Sequence, residues 1–229
     1  MAVLHTEYLI FSALSYCIFK KEDINENVFC LLDDEENNHR ERILLKSDVF
    51  SAFDFLRSWK AIGKNLMDFL KEWYIVDILD RTDDGHSSKK SGFYGIVFGK
   101  KDDKGGYKNI VIAYRGSQLF PIKEAYRDFI ETDFLIGLGK KPKQFDEGLE
   151  LYRETIIKYP YTDVRLTGHS LGGGIAQYVT VMSFLYTKNR EFIPKTVTFN
   201  GVGILVENMI KIELIREDNF NIIYKLLVF

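Results

Sequence analysis

The chain has 229 residues, 46% of them hydrophobic, which suffices for one substantial core and points to a single domain over 1–229. Lysine and arginine number 31 against 33 aspartates and glutamates, so no basic surplus draws the molecule onto nucleic acid. The two cysteines, Cys17 and Cys30, form neither a disulfide framework nor a zinc-ligand spacing and read as reduced thiols.

In chain order, the first element is the apolar run "YLIFSALSYCIF" at 8–19. It has no positive stretch before it, carries Glu7 at its front and lacks a small-x-small cleavage site, so it reads as an amphipathic or buried helix rather than a signal. Tyr16 before Cys17 also argues against a lipoprotein cleavage site. The cluster "DDEENNHRER" at 33–42 reads as a solvated loop, in which His39 has no evident partners for a metal. Ser47 or Asp48 can cap a helix through "VFSAFDFLRSWKAIGKNLMDFLKEW", with Phe50, Phe53, Leu56, Ile62, Leu66, Phe69 and Leu70 in helical spacing. A helical N-terminal part is thus expected over about 1–73.

Three β patterns follow, "YIVDIL" (74–79), "FYGIVFG" (93–99) and "NIVIAYRG" (109–116), separated by turn-rich segments; together they predict an antiparallel meander. The "DDGH" that ends at His86 reads as a turn rather than a ligand set. Gly99-Lys100 and Gly139-Lys140 lack the spacing and hydroxyl of a nucleotide loop. Neither a metal nor a cofactor is expected.

From about 146 the rhythm becomes helix, strand, helix, strand. Asp146 can cap "EGLELYRETIIKY", which Pro160 closes; "DVRLT" (163–167) is a strand, and an uncharged helix runs from Leu171. "KTVTFNGVG" after Pro194 and the terminal "NIIYKLLVF" read as further strands. This alternation predicts an α/β domain with a mostly parallel central sheet, an antiparallel edge and helices on both faces. The uncharged stretch 171–187 is too short and too polar to span a bilayer, and with no signal segment a cytoplasmic location is expected.

Between strand and uncharged helix stands "RLTGHSLGGG" (165–174). Gly168-His169-Ser170-Leu171-Gly172 fits the G-x-S-x-G pattern, in which a serine sits on a strained strand-to-helix turn with its oxygen exposed. Glycine is expected at 168 and 172 because side chains there would strike the neighbouring strand and helix. A helix opening at Leu171 aims N–H groups at an oxyanion beside the serine. His169 is too near Ser170 in sequence, and on the wrong side of such a turn, to be its base, and reads as a packed residue behind it.

The blocks "NIVIAYRGS", "DFIETDF", "QFDEGLELY", "VRLTGHSLGGGIAQ" and "KTVTFNGVG", in this order and at these intervals, resemble the class 3 (fungal-type) lipases and their bacterial lipase-like relatives, over about 90–205. The resemblance implies an α/β-hydrolase fold and hydrolysis of lipid carboxylic esters by a Ser-Asp-His triad. It implies Ser170 as nucleophile, and an oxyanion hole from Ser117 and the N–H of Leu171. It also implies that Asp133, or else Asp128, orients Ser117. On the residues alone, Ser117 also suits a capping turn and either aspartate a helix-end charge. The segment 118–127 falls where these enzymes carry a lid. Leu119, Phe120 and Ile122 there either close over the serine and open onto a lipid surface, or simply pack a loop on the core.

The resemblance breaks after the nucleophile. The four histidines are His5, His39, His86 and His169, so none follows Ser170. Glu217 and Asp218 precede the last strand pattern, at the wrong end to supply the acid. A chain shortened or altered in frame before its acid and histidine is therefore expected. Two function classes stay open. One is a serine hydrolase of lipase, phospholipase or carboxylesterase type acting on a lipid or ester substrate, with a membrane surface as a place to meet it. The other is a catalytically impaired lipase-like protein or fragment that binds acyl chains or a partner.

Overall fold

The computed structural model describes residues 5–33, 64–82, 91–116, 142–160, 162–187 and 193–201. They form helices α1 (His5–Leu14), α2 (Val28–Asp33) and α3 (Lys64–Leu70), then strands β1 (Trp73–Asp80), β2 (Tyr94–Lys101) and β3 (Tyr107–Tyr114). Helix α4 (Lys143–Lys158), β4 (Asp163–His169), α5 (Leu171–Thr187) and β5 (Lys195–Phe199) follow. The terminal "NIIYKLLVF" and the 48–63 part of the expected long helix lie outside the described residues.

The five strands lie side by side in sequence order, β1-β2-β3-β4-β5. The first two pairings are antiparallel and the last two parallel, so the expected meander forms one edge of an α/β sheet. The β2–β3 hairpin turns at Gly105, whose φ of +83° suits a residue without a Cβ. Asp102 Oδ1 stiffens that turn by accepting the N–H groups of Lys104 (2.8 Å) and Gly106 (2.9 Å).

Two consecutive crossovers, β3 to β4 and β4 to β5, step in the same direction across the sheet. Parallel crossovers are right-handed, so both connecting helices fall on one face. There α4 and α5 bury Phe145, Leu149, Tyr152, Ile175 and Val179 against Val97, Ile112, Tyr114 and Leu166. The other face is covered by α1, α2 and α3, with Phe11, Leu14, Phe19 and Leu70 packed on Tyr94, Ile96, Phe98 and Val111. Strands covered on both faces read as continuous apolar runs, and β2 is buried without break from Tyr94 to Phe98.

Three boundaries differ from the sequence reading. The apolar run at 8–19 is helical only as far as Leu14. Beyond it Tyr16 N–H bonds Ala13 O (3.1 Å) and Cys17 N–H bonds Leu14 O (3.0 Å), tight i to i−3 contacts that end the helix. Trp73 belongs to β1, where it pairs with Lys100, and not to the preceding helix. Helix α4 begins at Lys143 after Pro142, so Asp146 lies in its first turn instead of capping it. Ser91 accounts for the earlier start, since its Oγ donates to Glu147 Oε2 (2.6 Å) and its carbonyl accepts from Gln144 Nε2.

Candidate active site

The parallel register fixes what meets at the carboxyl end of the sheet. Tyr114 of β3 stands opposite Gly168 of β4, and His169 opposite Phe199 of β5. Arg115 and Gly116 therefore leave the sheet beside Ser170 and the start of α5. Ser170 itself is 5% exposed and has φ +55°, a left-handed conformation that a non-glycine residue adopts at a cost of about 1–2 kcal/mol.

The surroundings hold it there. Ser170 N–H donates to Phe199 O (3.2 Å), and Ser170 O accepts from Gly174 N–H (3.2 Å), the first bond of α5. A Cβ at Gly168 would run into the carbonyl group of Gly172 and lie 2.8 Å from Gly173 N. A Cβ at Gly172 would run into Tyr114 O and lie 2.7 Å from Tyr114 C. Strand and helix thus approach backbone to backbone at both positions, as the spacing of the motif requires. The N–H of Leu171 opens a 17-residue helix, where first-turn N–H groups lack intrahelical acceptors and the helix dipole is positive. An anion beside Ser170 would find donors already in place.

His169 points away from this end of α5. Side chains alternate along β4, and Arg165, Thr167 and His169 share the face covered by α1. There His169 Nδ1 lies 2.9 Å from Tyr16 Oη, with the two rings edge to face at 5.9 Å. Burial lowers its pKa below the usual histidine value, so the ring is held neutral. Among the described residues Ser170 Oγ has no hydrogen-bond partner. Arg115, 6% exposed, stacks on Tyr94 at 4.1 Å, and burial lowers its pKa from the ordinary arginine value.

Of the residues singled out in the sequence, Gly168, His169, Ser170, Leu171 and Gly172 come together at this turn. Ser117, Leu119, Phe120, Ile122, Asp128 and Asp133 lie outside the described residues, as do His39 and His86. Among the described residues no group of three His, Cys, Asp or Glu could hold a metal ion. Tyr16 and Arg115 were not legible as neighbours of the serine. Tyr16 stands 153 positions from His169, and no local pattern announces such a contact.

A family model described as "Phospholipase-like: Tle-like phospholipase domain" matches residues 45–219, about three quarters of the chain. The chain belongs to this family of Tle-like phospholipase domains. Two fungal proteins named "Putative lipase ATG15" share short stretches with it. The one from Eremothecium gossypii is 32% identical over 69 residues, and the one from Vanderwaltozyma polyspora 30% over 76. These stretches span 30% and 33% of this chain but only 11% and 12% of those proteins.

Among solved structures, a Rhizomucor miehei lipase propeptide complex is similar at 15% identity and a TM-score of 0.39, covering 86% of this chain and 54% of that one. A lipase from Rhizopus microsporus var. chinensis is similar at 17% identity and a TM-score of 0.38, covering 65% of this chain and 53% of that one. The chain therefore spans about half the length of these solved relatives. The family is lipase-like. Among the described residues no helix is long and apolar enough to cross a membrane.

Proposed function

We propose that Ser170 is the nucleophile of a carboxylic ester hydrolase acting on lipid esters. The observation that carries this reading is the serine's left-handed backbone at a strand-to-helix turn, between two glycines packed backbone to backbone. In the reaction, Ser170 Oγ attacks the ester carbonyl carbon, and the carbonyl oxygen takes up negative charge. The N–H of Leu171 faces that oxyanion, with Ser117 as the second donor. The tetrahedral intermediate collapses to an acyl-enzyme as the alkoxide leaves with the proton given up by Ser170 Oγ, and water then adds to the acyl carbon, releasing the acid and returning a proton to the serine. The apolar substrate would come from a lipid surface.

A second reading is favoured by one observation among the described residues, that the histidine next to Ser170 is turned away from it. His169 is turned onto Tyr16. Without an imidazole at the serine, the hydroxyl stays a weak nucleophile, and the domain would bind acyl chains or a partner rather than turn over. Oxyanion stabilisation and binding alone leave roughly 10³ to 10⁴-fold over water, against roughly 10⁶-fold or more for intact enzymes.

One experiment separates the readings. The purified chain is incubated with an alkyl fluorophosphonate and with p-nitrophenyl butyrate. Slow phosphonylation, mapped by mass spectrometry to Ser170 and lost in Ser170→Ala, supports the nucleophile, and faint butyrate turnover supports the impaired reading. Vigorous turnover lost in Ser170→Ala would mean that a base is in place; a His86→Ala variant then shows whether that residue supplies it. No label at Ser170 would refute the assignment of the nucleophile.

A further inference from the structure

The family match begins at residue 45, yet the described residues bring an earlier segment to the serine. Helix α1 lies on β3, β4 and β5, and is tied to β4 at its start. Arg165 Nη1 donates to Tyr8 Oη (3.4 Å), and Thr167 Oγ1, whose proton goes to Val197 O (2.8 Å), lies 3.3 Å from Tyr8 O. Past its end the segment is tied again, because Tyr94 Oη both accepts from Phe19 N–H (3.0 Å) and donates to Phe19 O (2.8 Å). Tyr16, 2% exposed, hangs between these anchors.

Its hydroxyl meets two residues that flank Ser170. It shares a hydrogen bond of 2.9 Å with His169 Nδ1. A Cβ at Gly116 would run into the same hydroxyl, and that point is 2.6 Å from His169 O and 3.2 Å from Ser170 Cβ. The ends of β3 and β4 therefore close on one phenolic oxygen. Whichever atom carries the shared proton, the bond fixes the His169 ring, and with it the backbone that leads into the left-handed Ser170.

We propose that Tyr16 is a positioning residue for chemistry at Ser170, its hydroxyl holding His169 and Gly116 so that the serine oxygen keeps its aim; this rests on the reading of Ser170 as nucleophile. The N-terminal arm is on this account a working part of the site and not merely cover for the sheet. Small displacements of a reacting atom cost rate more than binding, so loosening the pair should lower the bond-forming step and leave probe binding alone.

The test is saturation labelling of the full chain with an alkyl fluorophosphonate, which separates the maximal labelling rate from the half-saturating concentration. Tyr16→Phe keeps the ring and removes only the hydroxyl. It should lower the maximal rate about fivefold to tenfold, the worth of one hydrogen bond, with the half-saturating concentration unchanged. His169→Leu should lose a similar factor, and adding Tyr16→Phe to it should lose nothing more. His169→Asn puts an amide near the position of Nδ1 and should recover most of the rate.

Labelling of Tyr16→Phe at the parent rate would overturn the proposal. So would losses that multiply in the double variant. If Tyr16→Phe does not fold, His169→Asn against His169→Leu decides, and equal rates overturn it. Label taken up equally by Ser170→Ala, or no label on the parent chain, would instead remove the nucleophile reading and the proposal with it.

Discussion

Gly172→Ala is the most direct probe of how the serine turn is built. The added Cβ would run into Tyr114 O and stand 2.7 Å from Tyr114 C and 2.9 Å from Arg115 C. Carbon pairs rest at about 3.5–4.0 Å, so the shortfall is about 1 Å against main chain and not against a side chain that can turn away. Tyr114 cannot yield easily, because β3 is hydrogen-bonded to β2 on one side and to β4 on the other. Overpacking of this kind costs about 3 kcal/mol, the upper end for core insertions, while alanine in a helix returns about 1 kcal/mol over glycine. The net loss of about 2 kcal/mol corresponds to a fall in Tm of about 4–8 °C for a chain of this size. Gly105→Ala is the control. Its Cβ would meet nothing within 4 Å, and the φ of +83° alone should cost about 1 kcal/mol. Thermal melts followed by circular dichroism compare the two. A Gly172→Ala protein that melts within about 2 °C of the parent, or above Gly105→Ala, would refute the backbone-to-backbone packing on which the turn rests.

Ser170→Gly should raise Tm by about 2–4 °C, because glycine relieves the left-handed φ, while abolishing phosphonate labelling; a lower Tm would mean that the serine side chain is structural. Tyr94→Phe strips two buried main-chain groups of Phe19 of their shared partner and should cost about 2–3 kcal/mol, read as a lower midpoint in urea at unchanged slope. The depressed pKa of His169, caused by burial, sets a pH dependence. The unfolded chain binds a proton near pH 6.5 while the folded chain resists it, so stability is full above about 6.5 and falls as pH drops toward the folded value. His169→Asn should flatten that part of a Tm-against-pH profile, and an unchanged profile would assign the acid sensitivity to other groups.

The elements were legible where the signal is local. Leu171–Thr187 forms one helix over the whole uncharged run read from the sequence. The three β patterns form the meander, since enrichment in β-branched and aromatic residues and turn-rich separators act within a few positions. Gly168 could be assigned in advance because its constraint comes from the helix that follows it in the chain, whereas Gly172 is constrained by the main chain of Tyr114 and Arg115, far away in sequence, and only the motif spacing pointed to it. Boundaries set by distant partners could not. Trp73 continues a helical spacing, but ladder pairing with Lys100 and packing against Phe11 and Phe69 make it a strand residue. Helix α4 starts ahead of Asp146 because Ser91, more than fifty positions earlier, holds Gln144 in its first turn and Glu147 just beyond it.

The same division runs through the candidate site. The sequence by itself determined the turn, its serine and the helix that opens behind it, because the close approach of Gly168 to Gly172 and Gly173 lies within a few residues and demands glycine at 168. Only the tertiary structure decided what stands behind the turn. Parallel register sets Tyr114 beside Gly168, and with it Gly116 beside His169. The α1 arm, tied at Tyr8 and Phe19, then delivers the Tyr16 hydroxyl to that junction. A hydrogen bond between residues so far apart depends on the whole sheet being assembled first, and no window of sequence contains the strands that bring its two ends together.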